Sequence, residues 1–244
     1  MPGPARPHRL SPWGRLVAVS AVLVYGSGLA LLVGNLATRE DRVTEYRVRG
    51  TLQGVDLDLG NGSVEVLRGG PRAVLTVRDT GRSAYGHRAS SGRSIADGVL
   101  RVRSRCPQTV LRSCSVAYRL VVPDNVPVDV RTDTGAVRFR DYRGSARVRT
   151  RSGDVDVTGF CGFSLQARAE SGSLAAQTSC PPPQLSLRST SGDVHAVVPT
   201  GRYQVEAESA SGGRDVEGVV ATSDAPFSLQ ALSSSGDVEV RGRR

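Results

Sequence analysis

Through residues 128–240, apolar and polar side chains alternate in short runs broken at intervals by a small-residue triplet. The triplets are Ser152-Gly153-Asp154, Ser171-Gly172-Ser173, Ser191-Gly192-Asp193, Ser211-Gly212-Gly213 and Ser235-Gly236-Asp237, with Thr134-Gly135-Ala136 ahead of them. Their glycines follow one another at 18, 19, 20, 20 and 24 residues. Aligned on each glycine, the position seven before holds Val128, Ala146, Leu165, Leu185, Val205 and Leu229, and the position five before holds Val130, Val148, Ala167, Leu187, Ala207 and Ala231. Two after stand Val137, Val155, Leu174, Val194, Arg214 and Val238, and four after stand Phe139, Val157, Ala176, Ala196, Val216 and Val240. A period of two marks strands with one buried face, and a repeat near twenty residues is the scale of a solenoid coil. Each repeat therefore predicts strand, turn, strand, turn, with glycine supplying a positive φ and Ser or Asp supplying local side-chain bonds. The register breaks once, at Arg214.

The same register holds around Gly62, with Val55, Leu57 and Leu59 before it and Val64 and Val66 after. Between them and the repeats, 67–127 holds strand-like runs at 73–77, 99–102 and 118–122 and a loop-rich stretch at 81–92, room for about three irregular coils. The fold class that follows is all-β: a β-helix-like solenoid of about twenty-residue repeats over 51–240. Roughly nine coils stacked in chain order at about 4.8 Å would make a rod near 43 Å long. A composition of 5% aromatics and 28 glycines suits thin strands joined by tight turns.

Residues 16–38 carry no charge for 23 positions, and a helix of that length spans roughly 35 Å, enough for one bilayer crossing. The pattern predicts a single transmembrane helix ahead of the solenoid. Arginines and Trp13 flank its start, while Arg39-Glu40-Asp41-Arg42 after it is balanced, which by the positive-inside rule places 1–15 in the cytoplasm and the rest outside. Residues 39–50 then read as a linker and 241–244 as a basic tail. A cleaved signal peptide is the rival, but the apolar run is long for one, and cleavage after Ala30 or Ala37 would leave a poor site. Gly26, Ala30 and Gly34 recur every four residues and offer a close-packing face for a dimer.

The net charge of +9 invites a nucleic-acid reading. Three arginines before Leu16 and three after Val240 supply six of the nine, leaving +3 for everything between. There is no lysine, so arginine fills every basic position, and the nearly balanced middle argues against nucleic acid. His8, His87 and His195 stand apart from the cysteines, so no metal set is formed and no cofactor is called for. Calcium-binding β-rolls need a nine-residue glycine period that is absent.

Cys161 and Cys180 each lie eight residues after a repeat glycine. On adjacent coils they would sit near the strand spacing, within disulfide reach, and Cys106 and Cys114 would then close a small loop. Both bridges suit an oxidising exterior.

The repeated Ser-Gly-Asp-Val, the strand ending in Val121-Val122-Pro123 and the N-terminal apolar segment together resemble the putative-adhesin family of bacterial β-strand-repeat envelope proteins. The resemblance covers about 51–240 and implies a right-handed β-helix-like solenoid at the cell surface, with no activity attached. Ser173, Gly213 and Arg214 depart from its pattern and put the regularity of the fifth coil in doubt.

Four residues before the repeat glycines, on the outward side, stand Arg131, Arg149, Arg168 and Arg188, followed by Glu208. Stacked coils would oppose like charges there, which costs stability unless compensated. The ladder, with Arg138, Arg140 and Arg147 nearby, is the candidate binding site for an anionic envelope polymer or lipid. Arg-rich surfaces also produce such columns without a ligand. For catalysis, Asp154, Asp193 and Asp237 share one repeat position, but with an acid-free coil between each pair they would stand about 10 Å apart, beyond the carboxylate range of about 6.5 to 9.5 Å for inverting glycosidases. No nucleophile arrangement or phosphate loop accompanies them, so no enzyme is predicted. A membrane sensor of envelope stress is the alternative class, though about fifteen cytoplasmic residues are too few for a folded output domain.

Overall fold

The computed structural model describes residues 12–37, 42–47, 51–69, 76–82, 90–105 and 115–243. A helix, α1 (Pro12–Ala37), precedes the strands. First come β1 (Arg42–Arg47), β2 (Gly54–Arg68), β3 (Thr76–Arg82), β4 (Ser90–Ala96), β5 (Val99–Arg105) and β6 (Ser115–Val122). The repeats contribute β7 (Val128–Thr134), β8 (Val137–Arg140), β9 (Ala146–Ser152), β10 (Val155–Phe160), β11 (Ser164–Ser171), β12 (Leu174–Thr178), β13 (Gln184–Ser191) and β14 (Val194–Pro199). The chain ends with β15 (Arg202–Ser209), β16 (Arg214–Glu217), the short β17 (Val220–Ala221), β18 (Phe227–Ser235) and β19 (Val238–Arg243).

Each repeat sends the strand before its glycine into one sheet and the strand after it into a second, so the inward residues of both meet in a single core. The first sheet runs β4–β5–β2–β7–β9–β11–β13–β18–β15–β17. The second runs β1–β3–β6–β2–β8–β10–β12–β14–β19–β16. The long strand β2 turns the corner and belongs to both. All pairings are parallel except β4 with β5, β3 with β6 and β1 with β3. The inward positions named by the alternation, from Val55, Leu57 and Val64 through Val130, Val157, Leu187 and Val240, are buried, except that Val205 and Val216 are half-buried and Arg214 is exposed. Tyr142 joins Phe139 and Phe160 at ring-centroid distances of 5.4 and 6.3 Å; burial raises its pKa, and its hydroxyl donates to the Val126 carbonyl.

Three expectations change. Residues 67–127 contribute one parallel layer, β5 with β6, plus antiparallel β3 and β4, in place of three coils; the loop-rich stretch begins and ends in strand. Among the described residues eight parallel layers stack, about 38 Å at the strand spacing, followed by the antiparallel strands. The stack also departs from chain order. The layer of β18 and β19 inserts between β13/β14 and β15/β16, so the last coil in sequence lies inside the stack and the preceding one forms its end. This accounts for Arg214: β16 has no strand beyond it among the described residues, and its side chains are largely exposed.

The turn glycines show why the layers close so tightly. At Gly172 φ is +139°, and a Cβ there would lie 2.4 Å from the Gly153 carbonyl oxygen, so both conformation and space require glycine. The same approach continues along the stack, Gly192 onto Gly172 at 2.3 Å, Gly236 onto Gly192 at 2.5 Å and Gly212 onto Gly236 at 2.4 Å, which traces the altered order. The Asp of the triplet bonds across layers and not within its own turn: Asp154 Oδ1 accepts from Ser173 N at 2.9 Å, Asp193 Oδ1 from Asp237 N at 2.8 Å and Asp237 Oδ1 from Gly213 N at 2.7 Å. Three residues before the glycine a buried hydroxyl reaches the neighbouring turn, as from Ser189 to the Gly172 carbonyl and from Ser233 to the Gly192 carbonyl, both 2.9 Å. These bonds satisfy carbonyls that the tight turn leaves out of the sheet ladder.

Helix α1 runs 26 residues, its apolar residues are spread around its circumference, and Trp13, Val17, Val22, Leu23 and Leu29 are exposed. Among the described residues no helix is long and apolar enough to cross a membrane. The span read at 16–38 lies partly outside them, since the side chains of 31–37 and residue 38 are not described. The 39–50 stretch contains β1, paired with β3.

Candidate functional site

The outward positions of the first sheet bring the four arginines together as the register requires. Arg131 lies opposite Arg149, Arg149 opposite Arg168, and Arg168 opposite Arg188, each on an adjacent strand and each exposed. Beyond Arg188 the expected neighbour Glu208 is displaced by the inserted layer: Leu232 faces Arg188, and Glu208 lies one strand further on. At the other end Asp58 faces Arg131.

The four are not equivalent. Arg131 lies 3.6 Å from Asp129 and 3.9 Å from Asp56, and Arg188 donates to Gln230 Oε1 at 2.8 Å. Arg149 and Arg168 have no hydrogen-bond or ion-pair partner among the described residues, so two cations face each other at one strand spacing without a counter-charge. Asp58 is taken by Arg105, which donates to both carboxylate oxygens at 2.9 Å and holds the Asp58 carboxyl below its ordinary pKa. Of the neighbours proposed from sequence, Arg147 is in the same sheet and donates to Gln166 at 3.3 Å, whereas Arg138 and Arg140 belong to β8 on the second sheet, with Arg140 3.3 Å from Glu65. They are not part of the ladder.

A groove of about 590 Å³ runs beside the ladder, with Arg149, Arg168 and Arg188 on one wall and Glu170, Thr190 and Ser234 on the other. Glu170 is 4.0 Å from Arg151. Leu232 and Glu208 close the far end. The sequence reading missed Thr190, Ser234 and Leu232; the first two occupy the repeat position two before the glycine, and nothing in that position alone marks a groove wall.

Cys161 and Cys180 form a disulfide with their Cα atoms 5.1 Å apart, stapling the layers of β10 and β12 as the repeat frame predicts. Cys106 and Cys114 lie outside the described residues. The acid-free spacing expected of the repeat aspartates does not hold throughout: the inserted layer puts Asp193 and Asp237 on neighbouring turns, within one strand spacing. Their Oδ1 atoms accept backbone N–H bonds, which ties them to holding the turns. Among the described residues no group of three or more His, Cys, Asp or Glu could hold a metal ion.

A family model described as Toastrack DUF4097 matches residues 124–241. Over those residues, just under half of the chain, the sequence is similar to that family. The matched region holds six of the eight layers, those of β2 and of β5/β6 lying ahead of it. The chain is also similar to solved structures, among them a "putative cell adhesion protein" from Clostridium sporogenes, 9% identical, covering 83% of this chain and 100% of that one with a TM-score of 0.46. Another is a "putative adhesin" from Bacteroides fragilis, 8% identical, covering 84% and 98% with a TM-score of 0.49. A "putative lipid binding protein" from Parabacteroides distasonis is 7% identical, covering 83% and 98% with a TM-score of 0.32. Among curated proteins no relative matches the chain.

Proposed function

We propose that this protein is a non-catalytic binding module of the bacterial cell envelope, anchored by α1 with its N-terminus in the cytoplasm and its solenoid outside, and that the arginine ladder takes up anionic groups of an envelope ligand. The observation that carries the reading is the unneutralised pair Arg149 and Arg168 beside an open groove. Like charges one strand apart destabilise a sheet, and a bound carboxylate or phosphate removes that cost while matching the guanidinium fork. The anchor rests on the sequence pattern, 23 uncharged positions over 16–38 with arginines ahead of them, and not on the described part of α1. The disulfide suits an oxidising compartment. A non-catalytic role follows from aspartates whose oxygens are engaged in the turns.

The test has two parts. Protease added to intact cells should cleave residues beyond 38 and spare the N-terminal tail; protection of the solenoid would refute the orientation. Retention of the purified chain on an anion-bearing matrix should be lost in the triple variant Arg149→Gln, Arg168→Gln, Arg188→Gln. Unchanged retention would remove the ladder as the site.

A further inference from the structure

We infer that the ladder groove is built for a linear anionic glycan lying along the solenoid axis, with successive acidic sugar residues facing Arg149, Arg168 and Arg188; the inference rests on the anion-binding reading above. Three features select this ligand over other polyanions.

The first is periodicity. The cations are one per layer at about 4.8 Å, close to the advance per residue of an extended sugar chain, so one carboxylate or phosphate per sugar meets one guanidinium per strand. The second is the opposite wall, where Glu170, 4.0 Å from Arg151, is followed by the exposed hydroxyls of Thr190 and Ser234 in consecutive layers. Hydroxyls that both donate and accept complement sugar hydroxyls, whereas bare phosphates only accept and leave the acceptor lone pairs unused. The third is the end of the groove. After three arginines the column changes to half-buried Leu232 and then to Glu208, so a ledge for the apolar face of a sugar ring is followed by a charge that repels further anion. The groove thus counts about three acidic residues and then stops. A membrane surface has no such limit: it would be met by a broad basic face, and here Glu208 and Glu170 stand within the patch.

The test uses the full chain in detergent with four probes: oligogalacturonates of two, four and six residues, inorganic polyphosphate, and vesicles of phosphatidylcholine with phosphatidylglycerol. Binding is measured by calorimetry. Affinity should rise about threefold from dimer to tetramer, as the third exposed charge contact is added, and little from tetramer to hexamer. The variant Thr190→Val with Ser234→Ala should lose about fivefold for the tetramer and less than about twofold for polyphosphate. The ladder variant should lose tetramer binding, while Arg138→Gln, Arg214→Gln, Arg243→Gln, which removes equal charge from the second sheet, should keep it. Should polyphosphate or vesicles bind as tightly as the tetramer in a ladder-dependent way, insensitive to the hydroxyl variant, the glycan assignment is overturned and the anion-binding reading stands. Failure of every probe to bind, or equal loss in both triple variants, overturns both.

Discussion

Replacing Leu229 by alanine tests the altered layer order directly. In a stack that follows the chain, Leu229 would belong to the terminal coil and Val205 to an inner one. The structure reverses them: Leu229 is 1% exposed, between Leu185 and Val205, whereas Val205 is half-buried in the end layer. Truncating a fully enclosed leucine removes its transfer free energy and leaves a cavity that the two flanking layers cannot close, about 3 kcal/mol. Val205→Ala removes less apolar area at a site open on one side, about 1 kcal/mol. Against a typical stability of about 5 to 15 kcal/mol, that difference is resolvable by urea titration followed by far-UV circular dichroism with the chain in detergent. Because layered proteins open from their ends, hydrogen exchange provides a second reading: amides of β18 and β19 should be better protected than those of β15 and β16. A Val205→Ala loss equal to or larger than that of Leu229→Ala, or weaker protection in β18 than in β15, would refute the inserted layer.

Gly172→Ala should lower stability by about 3 kcal/mol, from a left-handed φ and a carbonyl 2.4 Å from the added Cβ, while Gly92→Ala, with nothing within 4 Å, should be nearly neutral; thermal melts of both variants check this. Reducing the Cys161–Cys180 bridge, which closes a loop of 19 residues, should cost about 3 kcal/mol, read as a lower urea midpoint in the presence of reductant. Asp58 has a folded pKa depressed chiefly by its hydrogen bonds from Arg105, so the stability it contributes is present above its unfolded value of 3.8 and is lost as pH falls through the lower folded value. The pair is exposed and screened, so Asp58→Asn should remove less than about 1 kcal/mol at neutral pH and flatten the acid limb of a stability profile below pH 4.

The strand alternation, the glycine turns, the Cys161–Cys180 bridge and the stacking of Arg131, Arg149, Arg168 and Arg188 were legible in the sequence, because each depends on spacing within one or two coils. A period of two decides which face is buried, and a period near twenty brings equal positions into register whichever layers are neighbours. The order of those layers is another matter. The inward residues are Val, Leu and Ala in every coil, and any turn glycine fits against any other, so the local pattern is nearly indifferent to which coil lies beside which. Two traces of the true order were present: the 24-residue step from Gly212 to Gly236, long enough to leave the stack and return, and Arg214, a charge tolerable only where no further layer covers it. Only the tertiary structure turned them into an arrangement, and with it came everything that depends on contact between non-consecutive coils: Leu232 in place of Glu208 beside Arg188, Asp193 next to Asp237, and the Ser234 hydroxyl beside Thr190 on the second wall of the groove. Local periodicity determines the coil; the order of stacking is decided by which coils can be covered on both sides, a property of the whole chain.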